Sequence, residues 1–170
     1  MKHASLLLLA LTFVFYSCGS SDKKTGSESA AEDVVVEQPN GDSNGLALEL
    51  NGDSDSNTAG GISTVYFDYD SSSLTSSSKQ VLEQNAQFLK TSDKIDIQIE
   101  GHCDERGGIQ YNLALGERRA RAIRDYLVAL GVTRSRMKIV SFGKERPVSF
   151  GHDESSWGRN RRGNFVITAK

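Results

Sequence analysis

The chain has 170 residues, a formal net charge of −2, and is 37% hydrophobic, 8% aromatic and 25% charged. That length suits one domain with an appendage, or two very small domains. Two Cys are too few for a disulfide scaffold, and a single long apolar run is too little for a multi-pass membrane protein. The charge is unevenly spread: the part before residue 62 carries −6, the rest carries +4, and every Arg lies in the second part. The two parts are physically different objects.

Lys2 and His3 precede an apolar run over residues 4–16. A positive start and a run shorter than the roughly 20 residues of a spanning helix predict a secretory signal peptide over residues 1–17. It ends in Ser17-Cys18-Gly19. A small residue and then Cys at the end of the apolar stretch resembles a bacterial lipoprotein signal, in which Cys18 becomes the first mature residue and carries acyl chains such as palmitate. Each buried lipid CH₂ contributes about 0.8 kcal/mol, so several chains on one Cys hold a protein firmly on a membrane. No acidic residue follows Cys18 directly. In such signals that absence implies the outer membrane, with the rest of the chain facing the periplasm.

Residues 18–61 read as a flexible linker. They are rich in Ser, Gly, Asp, Asn and Glu and contain no aromatic residue, so they cannot bury enough apolar surface to offset chain entropy. As a coil, this stretch reaches about 35–40 Å. Within it, Asp53-Ser54-Asp55-Ser56-Asn57 has the acidic alternation of a calcium loop. Thr58 and Thr64, however, stand where such a loop needs Gly and Glu. A solvated acidic turn is the expectation, and no metal or cofactor is called for.

Residues 62–170 read as one α/β domain. A first strand is predicted over residues 63–68, where β-formers cluster. Val81, Leu82, Ala86 and Leu89 recur at helical spacing and predict a helix over residues 75–90. Residues 95–100 alternate strictly and predict a strand with one buried face, ended by Gly101. A polar loop runs to Gly108. Leu113, Ala120, Ile123, Leu127 and Leu130 predict a second helix over residues 112–130, stopped by Gly131. A third strand over residues 137–142, a short helix over residues 153–160 and a last strand over residues 165–168 complete the order β-α-β-α-β-(α)-β. That order favours an α+β sandwich of two main helices on a mixed four-stranded sheet. The order of strands within the sheet does not follow from the pattern.

The chemistry concentrates between the second strand and the second helix. Asn112, Leu115 and Arg119 are spaced i, i+3, i+7 and share one helix face. If the preceding loop folds back over that face, Asp104 and Arg119 flank one pocket. A carboxylate and a guanidinium so placed either pair with each other or jointly bind a zwitterion, the Asp taking an ammonium and the Arg a carboxylate in a bidentate fork. The spacing leaves both open. A metal site on His102, Cys103 and Asp104 is disfavoured, because consecutive residues at a strand end point to alternating sides. Cys103 lacks the base and orienting partner of a nucleophile and is expected as a small buried thiol. The Arg cluster (Arg118, Arg119, Arg121 and Arg124, then Arg159, Arg161 and Arg162) would suggest nucleic acid in a cytosolic protein. The export signal argues for no nucleic acid here, and some of these Arg are expected to face water or anionic wall polymers. Trp157 is expected to anchor the short helix by packing.

Several segments together resemble the OmpA-like peptidoglycan-binding domain. These are residues 65–70 with Leu74, residues 101–120, residues 141–147, Gly151-His152-Asp153-Glu154 and Asn160-Arg161-Arg162. The most specific pattern is Gly-His-x-Asp-x-x-Gly followed by Asn, Leu and Arg-Ala, held here by Gly101, His102, Asp104, Gly107, Asn112, Leu115, Arg119 and Ala120. Gly-His-Asp-Glu at 151–154 is similar to the lipid-anchored branch of that family. The resemblance implies a non-enzymatic protein that holds the meso-diaminopimelate residue of a peptidoglycan stem peptide without cleaving it. Asp104 and Arg119 would grip the ammonium and carboxylate at its tip, Leu115 would pack the pocket, Tyr69 and Asp70 would line it, and Asn112 belongs to the same pattern. It further implies partnership with TolB and other Tol components, and a part in envelope integrity and cell division. Two positions depart from the family: Cys103 stands where Thr is common, and Tyr69 where Phe is usual. The competing readings are a periplasmic cell-wall hydrolase and a wall-binding lipoprotein independent of Tol.

Overall fold

The computed structural model describes residues 50–170. The signal segment, Cys18 and most of the expected linker lie outside the described residues. The elements, in chain order, are β1 (Val65–Tyr66), α1 (Ser76–Thr91), β2 (Asp96–His102), α2 (Ile109–Ala129), a 3₁₀ turn (Arg134–Arg136), β3 (Met137–Gly143), α3 (Glu154–Asn160) and β4 (Arg162–Ala169). The sheet order is β1-β4-β2-β3. β2 and β3 are parallel, while β4 runs antiparallel to both β1 and β2. β1, β2 and β3 therefore share a direction. The loops leaving their C-terminal ends, and the start of β4, gather at one end of the sheet.

Alternation along the strands explains the layering. Ile97 and Ile99 of β2 and Phe165 and Ile167 of β4 point to one face and join Leu82, Ala86 and Leu89 of α1 with Ala120, Ile123 and Leu127 of α2 in a single core. The opposite face is polar. There Glu100 Oε2 accepts from Asn164 Nδ2 at 3.1 Å, and His102 stacks on Phe142 with ring centroids 5.6 Å apart. α1 starts where Thr75 Oγ1 accepts from the Ser78 N–H at 3.1 Å, a cap whose loss typically costs about 1 kcal/mol. It ends where Arg136 donates to the carbonyls of Leu89, Ser92 and Ile95, satisfying groups that a helix end leaves open.

The close approach of α2 to β2 is set by two glycines. A Cβ on Gly101 would lie 1.8 Å from the Gly116 carbonyl oxygen, and one on Gly116 would lie 2.7 Å from the Gly101 oxygen. No side chain can stand between these backbones, so α2 lies directly on the sheet.

Several boundaries differ from the sequence expectations. The β1 ladder covers only Val65 and Tyr66, and the Phe67 N–H then donates to the carbonyl of Arg161, which precedes β4, at 2.9 Å. β2 does not stop at Gly101 but runs to His102, where the register with β3 slips between Gly101 and His102. Such an irregularity re-aims the residues that follow, here Cys103 and Asp104. α2 begins three residues earlier than expected, at Ile109, and β4 is longer at both ends.

The largest correction concerns residues 51–61, expected to belong to the linker. Asn51 N–H donates to the Ile167 carbonyl, Ile167 N–H to that of Gly52, and Ser54 N–H to that of Phe165, at 2.9, 3.0 and 2.9 Å. This strap thus extends the β1 side of β4. Ala59 is fully buried in the core, and Asp55 Oδ2 accepts from the buried Arg162 Nε at 2.6 Å. The acidic turn is therefore half structural. Asp53 Oδ1 accepts from the Ser56 N–H, and Asp55 neutralises a buried Arg. Polar residues built this strap through backbone pairing and one ion pair, which hydrophobic periodicity does not report.

Candidate functional site

At the end of the sheet where three strands finish, the loop after β1, the loop after β2, the first half of α2 and Arg161, between α3 and β4, enclose a cavity of about 90 Å³. That is far smaller than sites that enclose a whole drug-sized ligand; it admits the tip of a side chain. Tyr69, Asp70, Asp104, Asn112, Leu115 and Arg119 all line it. Asn112, Leu115 and Arg119 reach it because their shared face of α2 is pressed against the sheet by the glycine contact.

Arg119 is fully buried. Its Nε donates to the Ser71 carbonyl at 2.8 Å, Nη1 to that of His102 at 2.8 Å, and Nη2 to that of Asp68 at 3.0 Å. Nη1 also lies 3.5 Å from Cys103 Sγ. The side chain thus ties both loops to α2. Among the described residues it has no carboxylate partner, and burial pushes its guanidinium below the ordinary Arg value, opposed by the thiol of Cys103 and the charge of Asp104. It stays a cation. Its carbonyl contacts modify one expectation: with three edges of the guanidinium already engaged, a two-pronged fork onto a ligand is not free in this arrangement. Among the described residues, one Nη2–H is left without a protein partner.

Asp104 does not pair with Arg119. Its carboxylate accepts from Arg106 and Arg161, with Arg106 Nη2 at 2.5 Å and Arg161 Nη1 at 3.3 Å from Oδ2. Burial alone would raise its pKa, but the hydrogen bonds from Arg106 and then Arg161 outweigh burial and hold the carboxyl below the usual Asp range. Asp70 adopts a left-handed φ of +50° and accepts from the Tyr111 hydroxyl. Asn112 Nδ2 donates to the Arg106 carbonyl at 2.8 Å, which steadies the loop after β2. Cys103 is buried, and burial raises its pKa, so the thiol stays protonated and is a poor nucleophile.

Sequence reasoning missed three contributors. Arg106 sits at an unspecified position of the loop motif, Arg161 was named in a basic cluster and in the resembling segment Asn160-Arg161-Arg162 but given no site role, and Tyr111 lies one residue before a motif position. Arg161 is buried and also donates to the Phe67 carbonyl at 3.1 Å. Nothing local in the chain shows that it crosses to Asp104. Trp157 was expected as a packing anchor. Instead its ring lies 4.0 Å from the Arg106 guanidinium, and its Nε1–H donates to Glu105 Oε1 at 2.9 Å.

The OmpA family profile matches residues 66–161, more than half of the chain. The chain belongs to the OmpA family. Its OmpA relatives include the peptidoglycan-associated lipoprotein of Pseudomonas aeruginosa, 52% identical over 101 residues, which is 59% of this chain and 60% of that protein. The peptidoglycan-associated lipoprotein of Mesorhizobium japonicum is 40% identical over 156 residues, 92% of this chain and 88% of the relative. Among solved structures, the peptidoglycan-associated lipoprotein from Burkholderia pseudomallei is 50% identical with a TM-score of 0.59, covering 61% of this chain and 88% of that one. The OmpA-like arrangement of helices on a mixed four-stranded sheet is thus shared with a solved structure at high identity.

Proposed function

We propose that this protein is an envelope lipoprotein whose folded domain binds, without cleaving, the diaminopimelate residue of a peptidoglycan stem peptide. A lipid on Cys18 would hold the other end in the outer membrane, so that the linker and domain tether membrane to wall. The observation that carries the reading is a buried guanidinium, Arg119, without a carboxylate partner among the described residues, lining the same small cavity as Asp104. A cavity lined by a buried cation and by the acids Asp70 and Asp104 suits a ligand tip bearing both an ammonium and a carboxylate. A lysine-type stem lacks that carboxylate and would leave the cation uncompensated, a loss on the order of 2–5 kcal/mol. Tol components, TolB among them, are the partners this reading implies, together with a part in envelope integrity and division. A hydrolase working through the His and Asp residues would need a carboxylate or imidazole free to activate water; the Asp104 carboxylate is instead paired with Arg106 and Arg161, and buried Cys103 is a poor nucleophile.

The test is a sedimentation assay with diaminopimelate-type and lysine-type walls. Wild type should be retained on the first, weakly on the second, and release no fragments. Asp104→Asn and Arg119→Lys should each lose at least tenfold in retention, about 1.4 kcal/mol. Arg119→Ala is a poor probe, since it removes the donors of three carbonyls, of which the buried one on His102 alone costs about 1–3 kcal/mol when left unpaired, and so endangers the fold. Retention of Asp104→Asn and Arg119→Lys at the wild-type level would sink the assignment, and soluble products would favour the hydrolase.

A further inference from the structure

Asp104 reaches the cavity with its acceptor sites already used. Oδ1 accepts from the Arg106 backbone N–H at 3.1 Å and from Arg106 Nε at 3.2 Å, and Oδ2 accepts from Arg106 Nη2 and Arg161 Nη1. A carboxylate offers about four lone-pair sites, so an incoming ammonium finds none open. The two Arg that fill it are not equivalent. Arg161 is buried and anchored to the Phe67 carbonyl and to Glu154. The Arg106 side chain is 29% exposed, and its guanidinium holds no backbone carbonyl among the described residues. It lies instead between two rings, 4.0 Å from the centroid of Tyr69 and 4.0 Å from that of Trp157. Beyond Asp104 and a 3.9 Å approach to the exposed Glu154 carboxylate, this stacking is what seats the guanidinium.

We propose that Arg106 is an internal substitute for the ligand's cation. In the free protein its guanidinium occupies the edge of Asp104 that the ligand's ammonium takes when bound, and binding drives it out from between Tyr69 and Trp157. This rests on the stem-peptide reading and adds a rule of selection to it. A ligand that brings its own cation exchanges one charge-assisted pair for another. A neutral or purely anionic ligand that moved Arg106 would leave Asp104 with Arg161 as its one cationic partner and its Oδ1 without a charged donor, so it is disfavoured. The affinity seen from outside is lowered by the fraction of molecules in which Arg106 is still seated, which keeps the grip reversible.

Trp157 is the only Trp in the chain, so its emission reports whether a guanidinium covers it. The experiment compares the full wild-type chain with Arg106→Gln, which keeps a polar side chain but removes the charge and the fork. The probe is a soluble L-Ala-D-Glu-diaminopimelate tripeptide, followed by calorimetry and by Trp emission. Arg106→Gln should bind about tenfold tighter, as expected when roughly nine molecules in ten are held closed. Saturating wild type should move its emission towards that of ligand-free Arg106→Gln. Equal or weaker binding by Arg106→Gln, with wild type still binding, overturns the substitution while leaving the stem-peptide reading intact. So does a wild-type emission unmoved by ligand that calorimetry shows to be bound; this arm does not depend on the variant folding. Failure of both proteins to bind overturns both proposals.

Discussion

A guanidinium is costly to bury, and Arg119 is tolerated because carbonyls of Asp68 and Ser71 in the loop after β1 and of His102 at the end of β2 solvate it. The same residue is therefore both strut and charge, and this governs how it can be probed. His102 shows the opposite economy. It is almost fully buried, its Nε2 lies 3.4 Å from Glu100 Oε2 without the alignment of a hydrogen bond, and neither ring nitrogen has another partner among the described residues. Burial pushes its pKa below the ordinary 6.5, opposed by Glu100. The facing groups are Arg162 and Asp55 from the neighbouring strand and strap, which pull in opposite directions. The folded protein thus holds His102 neutral where the unfolded chain would protonate it. Stability from this group is complete above about pH 6.5 and is lost as pH falls from there through the depressed folded value. The contribution of His102 to the thermal midpoint should fall away as pH drops below about 6.5, against an opposite contribution from His152, whose pKa the Glu105 hydrogen bond raises, and His102→Phe, which keeps a flat ring against Phe142, should remove the first. An unchanged slope in the variant would show that other groups carry it. Asp104 loses its contribution at more acid pH, below the ordinary carboxylate range, because its folded pKa is held down by Arg106 and Arg161 against burial.

At the scale of elements, the site depends on how closely α2 lies on β2. Gly101→Ala would drive a Cβ to 1.8 Å from the Gly116 oxygen, a backbone atom that cannot swing aside, so α2 must lift. Overpacking of this kind costs about 1–3 kcal/mol. Because Asn112, Leu115 and Arg119 ride on α2, wall retention should fall along with the urea midpoint. A variant matching wild type in both measurements would mean the helix has room to spare. The helices were legible in the chain because Leu82, Ala86 and Leu89, and Ala120, Ile123 and Leu127, recur at helical spacing. β2 was legible because Ile95, Ile97 and Ile99 alternate. The shared face of Asn112, Leu115 and Arg119 followed from the same arithmetic. What did not follow was the destination of long side chains. Arg106, Arg161 and Arg162 each look like a solvated charge in a local window, yet each is drawn to a specific acid: Arg106 and Arg161 to Asp104, Arg162 to Asp55. In the case of Arg162 the partner lies 107 positions away. Those choices are made by topology, which places the start of β4 beside the ends of β1 and β2.

For the molecule as a whole, the folded unit begins before residue 62, the expected boundary. A chain starting at residue 62 loses Ala59 from the core, leaves Arg162 without Asp55, and bares the side of β4 along residues 165–167. Removing one partner of a buried ion pair costs on the order of 3 kcal/mol. A chain starting at residue 50 should melt like the longest form, and one starting at 62 well below it; equal melting would show the strap to be decoration. If the chain is held at both ends, as proposed, the strap is where mechanical load would enter the domain. Tension arriving through residue 50 falls first on the backbone bonds of Asn51, Gly52 and Ser54 to β4 and then on Asp55–Arg162, all at the margin of the sheet. These can peel away one after another and pay out slack, as a seam yields before the cloth tears. The cavity between the loops of β1 and β2 would meanwhile keep its shape.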